Sequence, residues 1–172
     1  LQSQKGLVGV LATEATLKSD KFNTLLATLL GDCRFIKQAG AGLVPLIESG
    51  QLHAPETATL LAQHLQPMRT AGIDTLVLGC THYPFLMPLI LNQLGSMVLI
   101  VDTSQAVVRQ LARQLEAHRI PSESSGRRSV LLLSTADGAR LHSMAMQLLN
   151  SNMATLRIDF KTVGLDQTAL CR

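Results

Sequence analysis

The chain has 172 residues, 47% of them hydrophobic and 16% charged. That is the composition of a folded protein of roughly one domain's length, and it excludes an intrinsically disordered chain. The net charge of +3 comes from the second half, where residues 87–172 carry nine basic and six acidic side chains against six and six in residues 1–86; it is spread out and reads as solvated surface charge, not a polyanion patch.

In chain order, Leu7–Leu11 (LVGVL) is an apolar run of strand length. Ser19–Leu30 has a helical period, with Ser19 as a candidate cap and Gly31 as a stop. Leu43–Ile47 (LVPLI) reads as the next strand, and Pro45 marks it as an edge or a bulge. Pro55–Ala71 is a helix with proline in its first turn and Gly72 just past its end; Pro67 should kink or shorten it. Asp74–Leu78 is a buried strand that ends at Gly79, and Pro84–Leu94 a short helix that stops at Gly95. Met97–Val101 is a strand, and Ser104–His118 a long helix entered through Asp102-Thr103. After a polar loop at Arg119–Arg128 come a strand at Val130–Leu133, a helix at Asp137–Asn150 and a last strand at Ala154–Phe160. Near-continuous apolar strands alternating with helices imply an α/β fold, a three-layer sandwich around a mainly parallel sheet. A boundary is expected near Asp102, where the charge balance changes.

The longest apolar run, Tyr83–Leu91, is nine residues and contains two prolines; a membrane span needs about 20, so no membrane partner is expected. Leu1–Leu11 is too short and too interrupted by polar residues for a signal peptide. Four Phe, one Tyr and no Trp leave no stacking platform for single-stranded nucleic acid, and no such partner is expected. Three widely spaced cysteines (Cys33, Cys80, Cys171) are not a disulfide framework and point to the cytoplasm. The chain starts at Leu1, not Met, with a strand-like run close behind, so a preceding N-terminal portion is expected.

Ligands of open α/β sheets bind at the carboxyl ends of the strands. The polar residues expected there are Thr13, Glu14 and Thr16, then Glu48 and Ser49, then Cys80, Thr81 and His82, then Asp102, Thr103 and Ser104. The sharpest feature is Gly79-Cys80-Thr81-His82-Tyr83-Pro84: a strand runs into glycine, a thiol and a proline-started helix. Helix-terminal amides favour a thiolate, and His82, two residues on, can tune its protonation. Cys80 read alone would be a buried small hydrophobe. A metal at Cys80-x-His82 lacks a second ligand pair, so no metal is expected. Thr13 and Thr16 also suit a turn and a helix cap, Glu48 a surface carboxylate and Asp102 a cap alone. His53, His64, His118 and His142 read as structural or exposed, and Lys18 and Lys21 as a solvated helix face.

Leu76–Leu86 (LVLGCTHYPFL) resembles the second cysteine motif of bacterial glutamate racemases. Gly9–Ser19 (GVLATEATLKS), Leu43–Gly50 (LVPLIESG), Val101–Ser104 (VDTS) and, more loosely, Ser134–Gly138 (STADG) resemble further segments of that family in the same order. The resemblance implies a cofactor-independent enzyme that interconverts L- and D-glutamate by two-cysteine acid/base chemistry, supplies D-glutamate for peptidoglycan, and can form a homodimer. It makes Cys80 a catalytic base assisted by His82, with Thr81, His82, Thr16 and Thr13 on the substrate and Glu48 orienting His82 or the ammonium. It makes residues 1–102 most of the second racemase domain, and residues 103–172 a segment that would complete the first. The family's Asp-Ser-Gly and Ala-Cys-Asn-Thr motifs of the first half are absent, Gln38-Ala39-Gly40-Ala41 stands where Ala-Cys-Pro is common, and Phe22 where tyrosine is usual. The resemblance therefore implies an incomplete two-domain fold. Alternative readings are a racemase for aspartate or a hydantoin, and a non-catalytic truncated module.

Overall fold

The computed structural model describes residues 3–29, 33–120, 129–149 and 157–164. Cys171 and most of the Arg119–Arg128 loop lie outside the described residues. The chain divides into two compact units, Leu1–Ile120 and Pro121–Arg172.

The first unit runs β1 (Leu7–Ala12), α1 (Glu14–Lys18), α2 (Asp20–Leu29), β2 (Arg34–Ala39), α3 (Leu43–Glu48), α4 (Pro55–Ala71), β3 (Thr75–Gly79), a 3₁₀ turn (Tyr83–Leu86), α5 (Met87–Leu94), β4 (Leu99–Asp102) and α6 (Ser104–Ala117). Its four strands are all parallel, in the order β2-β1-β3-β4. Successive strand residues point to opposite faces, yet Val8, Val10, Leu11 and Ala12 are all buried. β1 is therefore covered on both faces, as a three-layer α/β sandwich requires. α4 contributes Leu61, Leu65 and Met68 to the core and α3 contributes Leu43 and Ile47, each fully buried at helical spacing.

Two local readings of the sequence are corrected. Leu43–Ile47 is the body of helix α3, not a strand. Gly42 (φ +82°) turns the chain into it, and Pro45 sits in the first turn, where a missing amide leaves no bond unmade. Leu43 and Ile47 are four apart and both buried, the 3.6-residue period that a five-residue apolar run cannot display by itself. The second strand is instead β2, Arg34–Ala39 (RFIKQA), whose polar content hid it. As an edge strand it tolerates Arg34 and Lys37 on its open side.

The expected helix after β3 also begins differently. A Pro84-started helix is replaced by the 3₁₀ turn Tyr83–Leu86, with α5 following from Met87. Pro88 has no amide to give the Pro84 carbonyl four residues back, and the Met87 amide takes it in a 3₁₀ bond. Pro67, by contrast, does not shorten α4, which continues to Ala71.

α6 presents an apolar stripe of Val107, Val108, Leu111 and Leu115 that is exposed along its length. Asp102 accepts hydrogen bonds from the Ser104 amide (2.9 Å) and hydroxyl (2.6 Å) at its start, the capping role. The second unit is a parallel β5 (Ser129–Ser134), α7 (Gly138–Leu149), β6 (Arg157–Thr162) crossover. Asp137 caps α7 through the Ala139 and Arg140 amides (2.9 and 3.1 Å). Leu131, Leu133 and Phe160 are exposed. Among the described residues, no helix is long and apolar enough to cross a membrane.

Gly79 pairs with Ala12 across β3 and β1, and a Cβ on Gly79 would lie 2.8 Å from the Ala12 Cβ. Gly79→Ala is expected to destabilise the fold by about 1–3 kcal/mol through overpacking, measured by urea unfolding. Gly9→Ala should cost less, because its Cβ meets flexible side chains, at Ile73 Cδ1 and Met68 Sδ (2.8 Å each) and Leu76 Cδ1 (3.3 Å).

Candidate active site

The connection from β1 leads to β2 on one side, and that from β3 leads to β4 on the other. The chain thus leaves the carboxyl edges of β1 and β3 in opposite directions. A crevice opens between them, the usual ligand position in such sheets. An open pocket of about 400 Å³ lies there, lined by Thr13, Thr16, Val44, Gly79, Cys80, Thr81 and His82.

Thr13 and Thr16 enter it from the turn after β1. Thr13 caps α1 through the Thr16 amide (3.3 Å), and the two hydroxyls are 2.9 Å apart. Capping and pocket lining are here one arrangement: the cap holds both hydroxyls at the crevice. Cys80, Thr81 and His82 form the turn between β3 and the 3₁₀ segment, with the Tyr83 amide closing back on the Cys80 carbonyl (3.3 Å). Glu48 arrives at the end of α3, not at the end of a strand.

The central geometry is a chain of three side chains. Cys80 Sγ lies 3.9 Å from His82 Nδ1, a long sulfur contact, and His82 Nε2 lies 3.2 Å from Glu48 Oε1. With its proton on Nε2, donated to the carboxylate, the imidazole presents Nδ1 as an acceptor for the thiol proton. The His82 and Glu48 side chains are 27% and 29% exposed, so the pair is partly in water, where an ion pair adds at most about 1 kcal/mol. Its consequence is orientation of the ring, more than stability.

Cys33, the other described free thiol, is buried just before β2. The register Leu7↔Arg34 and Ala12↔Ala39 places it at the amino edge of the sheet, while Cys80 follows Gly79 at the carboxyl edge. A six-residue strand separates the two edges, roughly 20 Å at about 3.3 Å per residue. Among the described residues, one cysteine faces the crevice.

A family model described as Asp/Glu/Hydantoin racemase matches residues 1–125. The chain belongs to this racemase family. It is 50% identical over 148 residues to the glutamate racemase of Cupriavidus pinatubonensis, across 86% of this chain and 54% of that protein. Its fold matches the crystal structure of glutamate racemase isoform RacE1 from Bacillus anthracis with a TM-score of 0.80 at 25% identity, covering 95% of this chain and 59% of that one. Escherichia coli glutamate racemase, solved in complex with L-glutamate and the activator UDP-MurNAc-ala, matches with a TM-score of 0.71 at 27% identity, over 94% of this chain and 60% of that one. The chain spans about half the length of the curated relatives it matches.

Sequence reasoning missed the parts of this candidate site that carry no reactive group. Val44 lines the pocket because α3 is a helix. Tyr83 is fully buried, with its hydroxyl donating to the Gly40 carbonyl at 3.2 Å. The signal was the lone tyrosine of the chain beside the thiol motif, with no partner to assign it from the sequence.

Burial, and then the charge of Cys80, push the Tyr83 hydroxyl up to about 12. An unfolded tyrosine titrates near pH 10. The folded value lies above the unfolded one, so this contribution to stability is intact below about pH 10 and is lost as pH rises through about 12. With one tyrosine and no tryptophan, absorbance at 295 nm reports this group alone. Its midpoint in the native protein should stand well above the value near 10 found in urea, and Tyr83→Phe should remove the signal.

Proposed function

We propose that this chain is the half of a cofactor-independent glutamate racemase that holds the second of two catalytic cysteines. The alignment of Cys80, His82 and Glu48 at the switch-point pocket carries the reading. Racemisation removes the α-proton of an amino acid and returns one to the opposite face. Two acid/base groups on opposite sides accomplish it without a cofactor. Cys80, as thiolate, takes the proton from L-glutamate; the electron pair of the broken Cα–H bond stays on carbon, and a thiol on the far side protonates it. In the reverse direction the Cys80 thiol is the donor.

His82 accepts the thiol proton at Nδ1 when the thiolate forms, and Glu48 holds the ring by its Nε2–H. Thr13, Thr16 and Thr81 supply hydroxyls for the substrate's α-carboxylate and ammonium, with backbone groups of Thr81 and His82 alongside. The names of the curated relatives support glutamate as substrate, and with it a supply of D-glutamate to peptidoglycan. We place the reaction in the cytoplasm, where Cys33 and Cys80 persist as free thiols.

The second thiol would come from the part of the fold that the longer relatives have and this chain does not match. On this reading residues 1–102 form most of the second domain, and residues 103–172 complete the first. The exposed stripe of α6 and the exposed Leu131, Leu133 and Phe160 of the second unit support it, since a domain missing its packing partner leaves apolar surface of this kind open.

Proton NMR in D₂O tests the chemistry. The chain is expected to exchange the α-proton of L-glutamate with retention of configuration, because one base returns deuterium to the face it deprotonated. Cys80→Ala should lower that rate by about 100-fold or more, and Glu48→Gln by about 10-fold or more, as loss or misorientation of an acid/base group does. Exchange that survives Cys80→Ala overturns the assignment.

A further inference from the structure

We propose that Tyr83 and His64 are positioning residues: by pinning the Ala39–Ala41 turn they hold Glu48 at His82, and so set the reactivity of Cys80. The inference rests on the Cys80–His82–Glu48 reading and extends it to groups that touch no substrate.

Three consecutive backbone carbonyls in this turn are held by side chains. Gln38 Nε2 donates to the Ala39 carbonyl (3.1 Å), the Tyr83 hydroxyl to that of Gly40 (3.2 Å) and His64 Nε2 to that of Ala41 (2.8 Å). His64 is itself oriented, its Nδ1 lying 3.4 Å from Gln38 Nε2. The turn is thus tied to α4 through His64 and to the 3₁₀ turn through Tyr83. Gly40 makes the tyrosine contact feasible. A Cβ there would fall on the Tyr83 hydroxyl and 2.8 Å from its Cζ, so any larger residue would push the phenol off.

The turn leads straight into α3: the Leu43 amide bonds the Gly40 carbonyl (3.3 Å), and Leu43 and Ile47 are fully buried. A six-residue helix anchored at two core positions moves as one piece, and its last residue is Glu48. Tyr83 and His82 are adjacent in the chain. The same two segments are therefore joined twice, once in the dry core by Tyr83 and Gly40 and once at the pocket by His82 and Glu48. The partly exposed join adds little energy to hold the register. The buried one supplies the register, and a shift of about 1 Å between acid/base partners is enough to impair them.

The test is the pH profile of Cys80 alkylation by iodoacetamide, with the modified peptide identified by mass spectrometry to separate it from Cys33 and Cys171. Glu48→Gln should move the midpoint upward, because an imidazolium without its carboxylate stabilises the thiolate less. Tyr83→Phe keeps the ring in its slot and removes one hydroxyl; its midpoint should move upward by at least half as much. His64→Gln, at a partly exposed site with no contact to the thiol, should move it in the same direction and decides the matter if Tyr83→Phe fails to fold. Ser3→Ala, which loses a hydrogen bond to Asp74 (2.6 Å) at the amino end of β3, should leave it in place. A Glu48→Gln shift with Tyr83→Phe and His64→Gln at the wild-type midpoint overturns the positioning role and leaves the relay standing. No shift in Glu48→Gln overturns the relay, and this inference with it.

Discussion

β1 has a parallel neighbour on each side, and the placement of every functional side chain follows from that. The helical crossovers of a parallel sheet cover such a strand on both faces, which its apolar run allows. The crossovers that leave β1 and β3 depart in opposite directions, which leaves the carboxyl edge between them uncovered. Thr13 and Thr16 reach this gap because they follow β1, and Cys80, Thr81 and His82 because they follow β3. Gly79 against Ala12 narrows the floor of the gap to the smallest side chains that a strand can offer.

The chemistry above that floor combines a wet contact with a dry one. The His82–Glu48 pair, about a quarter exposed on each side, contributes little to folding. It fixes which nitrogen of the imidazole faces the thiol. Tyr83 lies a single residue further along the chain and is fully buried, with its hydroxyl satisfied by a backbone carbonyl. A buried hydroxyl left unpaired costs about 1–3 kcal/mol, so that bond is held firmly whatever occupies the pocket. On the proposed reading, adjacent residues of one motif thus divide the work between proton handling and framework.

The apolar stripe of α6 belongs to a different physical problem. A helix with no buried residue of its own gains nothing from amphipathicity unless its face is covered. The exposed leucines of β5 pose the same question for the second unit. The matched segments cover 54% and 56% of two curated relatives, so those proteins carry further chain.

Much was legible in the sequence because it was local. The apolar runs of β1, β3 and β4, the proline and glycine that bracket α4, and the thiol motif at a strand's end each depend on a few neighbouring residues. The Asp102 cap was legible for the same reason. Leu43–Ile47 was not, since five apolar residues fit either period until the core shows which two are buried. Nor was β2, a polar edge strand whose identity lies in its pairing with β1. The sequence by itself determined the kind of sheet, the candidate thiol and the residues that flank it. The resemblance offered Glu48 to His82 or to the ammonium; tertiary structure decided that it meets His82, from a helix 34 residues earlier, and that Cys33 faces away at the opposite edge. Both depend on strand order and on the packing of α3, which are contacts between distant segments and leave no periodicity in the chain.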